Sequence, residues 1–144
     1  MTQHQDDDIR KILSATRVIA VVGISPNADR PSHEVAHFLQ SKGYRIVPVN
    51  PGQAGGQILG ELVYADLAAI PDEIAVDMVD IFRRSEAVPE VVEAALRHLP
   101  GLRTIWMQLG VAHEAAAATA RARGVTVVMD HCPKIEYPRV MART

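Results

Sequence analysis

The stretch VVGISPNADRPS, residues 21–32, joins an apolar run to a helical pattern, and its reading decides the fold. Upstream, RVIAVVG (17–23) is β-branched and apolar almost throughout, as a strand covered on both faces must be. Downstream, residues 32–42 carry Val35, Phe38 and Leu39 at helical spacing, which predicts one face packed on a sheet, and Gly43 follows Lys42 as a stop signal. A strand, a turn rich in proline, asparagine and serine, and a helix make the first half of a βαβ unit.

The same alternation recurs along the chain. Further strands are predicted at YRIVPVN (44–50), IAVDMVDIF (74–82), LRTIWMQ (102–108) and VTVVMD (125–130), with helices over 5–15, 86–98 and 112–123. Gly124 after Arg123 ends the last of these helices, and alanine's propensity explains EAAAATARAR. Residues 51–73 are less regular: NPGQAGGQILGE reads as a loop, and LVYADLAAIP as a short strand and turn. The expectation is an α/β, three-layer αβα domain spanning residues 1–144, with a mainly parallel sheet of five or six strands and a tail from 131 onward packed on it. Its 144 residues suit one domain, and 48% apolar with 22% charged residues suits a compact core. A formal charge of −2, with no dense lysine and arginine run, argues against a nucleic-acid partner. No apolar run reaches the length of a membrane span, the polar start MTQHQDDDIRK is unlike a secretory leader, and the single cysteine suits a reducing compartment, so a cytoplasmic location is expected.

In such a fold the loop after the first strand lies at the carboxyl edge of the sheet, where ligands bind and where a helix N-terminus favours a phosphate. Measured against G-x-G-x-x-G, only Gly23 matches; Ser25 and Ala28 occupy the other glycine positions and Pro26 stiffens the turn. A dinucleotide site also wants an acid closing the second strand to hold ribose hydroxyls, whereas here the strand closes with Asn50–Pro51, so NAD fits poorly. Ser25 can donate to a phosphate oxygen and Arg30 can pair with one. A rigid turn with a solvated arginine is the alternative that composition leaves open.

Five ordered motifs, GISPNADRPS, VNPGQAGG, MVDIFRRSE, WMQLGV and MDHCPKIEYPR, resemble those of the small stand-alone CoA-binding proteins over residues 10 to 140. These are similar to the CoA-binding domain at the N-terminus of the succinyl-CoA synthetase α subunit. The resemblance implies a Rossmann-like domain that holds coenzyme A or a short acyl-CoA across the carboxyl ends of its strands. It places Gly23, Ile24, Ser25, Pro26, Asn27 and on to Arg30 along the phosphates, and Asn50, Pro51 and Gln53 beside the adenosine. Phe82 and Arg83 fall at the same edge, and Met107, Gln108, Leu109 and Gly110 along the pantetheine arm. One departure is Gln53, where the synthetase pattern carries lysine and so one more cation for a phosphate. The chain stops at Thr144, without the ligase domain and phosphohistidine segment of the synthetases, so the expectation is a carrier, sensor or regulatory subunit without catalysis of its own. An NAD(H)-binding regulator and a subunit of an acyl-CoA-using enzyme are the alternatives.

Other motifs carry weaker signals. HEVAH (33–37) matches H-E-x-x-H, with Glu61 as a distant third ligand, but spacing turns both histidines away from the apolar face, as on an ordinary solvated helix. Cys132 reads either as a small packing residue beside Pro133 or as a thiol activated by Lys134. In FRRSE, Arg83 or Arg84 can reach a phosphate or stay solvated, Ser85 reads as the N-cap of the next helix, and Pro89 is tolerable only in its first turn. Trp106, inside a strand, reads as core.

Overall fold

The computed structural model describes residues 3–141. Five parallel strands form the central sheet: β1 (Val18–Val22), β2 (Arg45–Val49), β5 (Met78–Ile81), β6 (Thr104–Met107) and β7 (Thr126–Val128), in the order β2-β1-β5-β6-β7. Between β2 and β5 lie β3 (Gln57–Ile58) and β4 (Glu61–Leu62), a separate antiparallel pair. Helices α1 (Gln3–Ala15), α2 (Pro31–Ser41), α3 (Val88–His98), α4 (Glu114–Ala122) and α5 (Pro133–Met141) complete the chain. This is the expected Rossmann-like arrangement, a parallel sheet between two helical layers. Among the described residues no helix is long and apolar enough to cross a membrane.

The core divides by sheet face, because successive strand residues point to opposite sides. On one side Ala20, Val47, Val79, Ile81, Ile105 and Met107 pack under α3 and α4. On the other, Ile19, Val21, Ile46, Met78 and Trp106 pack under α1, α2 and α5. Trp106 is fully buried and its indole N–H donates to the His131 carbonyl at 2.9 Å, which satisfies the one polar atom the ring carries into the core. The phenol of Tyr44 donates to the Leu13 carbonyl at 2.5 Å, and its burial holds its pKa up at about 12, so it stays a donor.

Where expectation and structure differ, local hydrogen bonding decides. The run 74–82 reads as one long strand, yet β5 begins only at Met78. The Asp77 carboxylate accepts from the backbone N–H groups of Arg17 and Val18, and residues 74–76 fold into tight turns ahead of it. Tyr64 makes a single parallel bridge to Val49, a one-residue sixth lane on the β2 edge, with its N–H on the Pro48 carbonyl and its carbonyl on the Asn50 N–H. The segment after residue 131 is a helix: on α5, Arg139 grips the Asp6 carboxylate at 2.6 and 3.1 Å and Glu136 at 2.7 Å, tying α5 to α1.

The apolar face of α2 is also rotated from the expected one. Ser32, Val35, Ala36 and Leu39 are buried against the sheet, whereas Phe38 is half-buried and meets Tyr137 of α5 edge-on at 5.8 Å. Leu39→Ala should therefore cost about 2–5 kcal/mol in urea unfolding, and Phe38→Ala clearly less. Equal losses at the two positions would contradict this packing.

Candidate ligand-binding site

The crossover from β1 through α2 lies on one face of the sheet and the crossover from β5 through α3 on the other, so the chain parts at the carboxyl ends of β1 and β5. Such a switch point opens a crevice in any doubly wound sheet. Gly23 stands there with φ +89°, and a Cβ on it would lie 2.4 Å from the Phe82 carbonyl oxygen. Its N–H donates to the Val49 carbonyl at 2.9 Å. No residue but glycine fits both the left-handed backbone and the approach to Phe82.

Beyond Gly23 the loop is held mainly by its own side chains. The Ser25 N–H donates to Ser32 Oγ (2.9 Å), the Asn27 N–H to Ser25 Oγ (3.0 Å) and the Asp29 N–H to Asn27 Oδ1 (2.9 Å). The Arg30 N–H donates to the Asn27 carbonyl at 3.0 Å. These bonds replace the missing glycines as the source of the loop's shape, and they occupy N–H groups that a glycine-rich turn would aim at phosphate. What the loop offers outward is the Ser25 hydroxyl proton, the first-turn N–H groups of α2 after Pro31, and the exposed guanidinium of Arg30, which makes no ion pair among the described residues. Asn50 fastens this loop to the next: its Nδ2 donates to the Ile24 carbonyl at 2.8 Å, and its Oδ1 accepts from the Gly52 N–H at 2.8 Å.

A cleft of about 600 Å³ runs from this junction toward α3. Val22, Val49, Leu67 and Val91 give it an apolar wall; Asn50, Asp66, Arg83 and Glu90 give it polar groups, with Arg83 3.9 Å from Glu90. Of the residues expected from the sequence, Gly23, Asn50, Pro51 and Arg83 line this cleft. Ser25, Pro26, Asn27 and Arg30 form the neighbouring loop, and Gln53 is exposed in the helical turn Pro51–Gln53. Ile24 and Met107 are fully buried, so their part is packing and backbone, and Phe82 packs against the α1, α2 and α5 layer. At the end of β6, Leu109 is 55% exposed, and Gly110, with φ +80°, donates its N–H to Asp130 at 2.7 Å.

Several residues carry roles other than those expected. Ser85 does not cap α3; it opens the turn Ser85–Ala87 and its Oγ accepts the Ala112 N–H at 3.1 Å, joining the loops after β5 and β6. Lys134 sits on the Glu34 carboxylate at 3.0 Å, and Cys132 is buried in the core beside α5. Glu61 pairs with Arg45 at 3.3 Å. Among the described residues no group of three histidine, cysteine, aspartate or glutamate side chains is placed to hold a metal. Asp66, Leu67, Glu90 and Val91 were not legible as cleft residues, because nothing local in YADLAA marks a site.

Below the crevice lies a second polar feature. Asp80, in register with Val21 of β1 and Trp106 of β6, is fully buried, and neither carboxyl oxygen has a hydrogen-bond partner among the described residues. Burial drives its pKa well above the ordinary carboxylate range, which favours the neutral acid. Gln108, two residues beyond Trp106 and on the same face by strand alternation, also has its Oε1 buried and unpartnered. An acid inside an apolar strand run was the available signal for Asp80.

Against this geometry, the description CoA binding domain matches residues 17–138. This chain belongs to the CoA binding domain family. The Bacillus subtilis (strain 168) protein YneT is 38% identical over 130 residues, which are 90% of this chain and 92% of that one. The Thermus thermophilus structure of cell-free ID.343 shares 32% identity with a TM-score of 0.86, over 94% of this chain and 98% of the other. The dinucleotide-forming acetyl-coenzyme A synthetase 1 of Ca. Korarchaeum cryptofilum, solved with phosphate and ADP, matches 84% of this chain and 27% of its own length, with a TM-score of 0.67. At 21% identity that likeness speaks for the fold alone.

Two substitutions test the packing at and below the crevice. Gly23→Ala should lower stability by about 2–4 kcal/mol, through the strained backbone and the clash with Phe82, as read by chemical denaturation; a loss below about 1 kcal/mol would refute the tight approach. The raised pKa means that native Asp80 gives up its proton at a higher pH than the unfolded residue, which ionises at about pH 4, so stability falls as pH rises through that value toward the higher native pKa. Asp80→Asn should be more stable than the parent at pH 7, and the gain should shrink as urea titrations approach pH 3.5. A gain that is independent of pH would mean that burial does not raise the Asp80 pKa.

Proposed function

We propose that this chain binds coenzyme A or a short acyl-CoA non-covalently, with the ADP portion in the cleft between the β2 edge and α3. The diphosphate lies against Ser25, Arg30 and the first turn of α2, with Arg83 on its other side. The pantetheine arm runs along the edge toward Gln108, Leu109 and Gly110. The observation that carries this reading is the cleft itself: about 600 Å³ with an apolar wall, opening beside a serine and arginine loop at the switch point of the sheet. Family membership supplies the ligand class.

Binding rather than turnover suits the lining. The cleft presents hydrogen-bonding and ion-pairing groups together with aliphatic ones, and its carboxylates are engaged locally, Asp66 with the Ala69 N–H and Glu90 beside Arg83. The role proposed is a carrier, a sensor or a regulatory component whose stability and surface respond to cofactor. Arg30 and Arg83 together oppose the diphosphate charge without the help of a strong net field, since the chain as a whole carries a formal charge of −2.

Calorimetric titration with coenzyme A, and thermal unfolding with coenzyme A against NADH, test the reading. A ligand at a hundred times its Kd should stabilise the native state by about 2.7 kcal/mol, and coenzyme A but not NADH should do so. Arg30→Ala should weaken coenzyme A binding by about tenfold at low ionic strength and flatten its salt dependence. No heat with coenzyme A, or an unchanged Kd in Arg30→Ala, would remove the proposed site.

A further inference from the structure

The cleft holds one cation and two carboxylates: Arg83, 3.9 Å from Glu90, and Asp66. Arg83 stands at the end of β5, beside the loop proposed for the diphosphate. At the β2 end, where a doubly wound sheet receives the ribose, the charged group is Asp66. Asn50, which closes β2, spends its Nδ2 on the Ile24 carbonyl and one lone pair of Oδ1 on the Gly52 N–H, which leaves it a weaker ribose acceptor than a carboxylate. Asp66 reaches the same place from the neighbouring lane: Tyr64 bridges Val49 at the sheet edge, and two residues later Asp66 opens the helical turn Leu67–Ala69. Its Oδ1 accepts the Ala69 N–H at 3.0 Å, which fixes the carboxylate, while Oδ2 has no hydrogen-bond partner among the described residues.

The enclosing segment offers no cation to a further phosphate. From residue 46 to residue 82 the chain has no lysine, arginine or histidine, but it has six acids. Arg45, just before this stretch, sits at the opposite end of β2 and pairs with Glu61 at 3.3 Å. The turn beside Asn50 carries neutral Gln53. A phosphate on the ribose at this end would be a dianion facing a carboxylate with no cation from the enclosing segment. Free ribose hydroxyls would instead donate to it.

We propose that Asp66 accepts the 2′- and 3′-hydroxyls of the bound ribose, so that the site selects 3′-dephospho-coenzyme A over coenzyme A. This rests on the cofactor reading above and adds to it the side chain that sets specificity at the adenosine end. The discrimination is electrostatic and should be sensitive to salt.

Isothermal titration of the full chain with coenzyme A and with 3′-dephospho-coenzyme A tests it. The dephosphorylated form should bind about fivefold tighter at low ionic strength, with the gap narrowing as salt is added. Asp66→Asn, which retains an acceptor for the Ala69 N–H, should erase most of that preference, and Asp66→Lys should invert it; circular dichroism melts would confirm that both fold. Coenzyme A binding as tightly as the dephosphorylated form, or tighter, overturns the proposal and leaves the cofactor reading standing. A preference unchanged in both variants overturns the role of Asp66 in the same way. Binding of neither compound overturns the proposal and the cofactor reading together.

Discussion

The contact on which the site depends is the passage of Gly23 against the carbonyl of Phe82. It is where two neighbouring parallel strands end and their connections leave in opposite directions. A side chain there would push β1 and β5 apart, and the loop from Ser25 to Arg30 would lose the platform from which it turns. With glycine present, the Gly23 N–H also reaches the Val49 carbonyl, so β2, β1 and β5 are locked at one height along the carboxyl edge. The crevice follows from that locking.

The loop shows how a turn can be shaped without stacked glycines. Glycine-rich turns obtain their conformation from backbone freedom and leave N–H groups exposed for an anion. Here serine and asparagine side chains occupy several of those N–H groups, which fixes the backbone but removes donors. Recognition of an anion then passes to the Ser25 hydroxyl and the arginines. Asn50 serves both strands at once through its amide, and that double use explains why a dinucleotide-style acid at the end of β2 would not fit this architecture.

Much of the fold was legible because apolar runs and glycine stops are local signals. β1, β2, β6 and β7 lie inside their expected ranges, and the end of α2 at Ser41, before Gly43, follows the stop signal. Errors arose where a distant partner decides. Asp77 takes the N–H groups of Arg17 and Val18, 60 and 59 residues away in the chain, and no reading of IAVD as alternating apolar residues could show it. Ser85 has the composition of a cap, but its partner is Ala112. For the site, the positions on the strand ends were readable, whereas Asp66 and Glu90 enter the cleft through tertiary folding of segments with no periodic signal. Spacing ranks Phe38 with Leu39 on the sheet face, yet α5 supplies a second surface that takes up its ring.

The grip of Arg139 on Asp6 brings the first and last helices side by side, on the face of the sheet away from the α3 cleft. A circular permutant that joins these helices by a short linker could keep the strand order and place its new ends in the exposed turn after β2 or β6. A tag or fused module attached through α1 or α5 would likewise leave from the helical layer opposite α3.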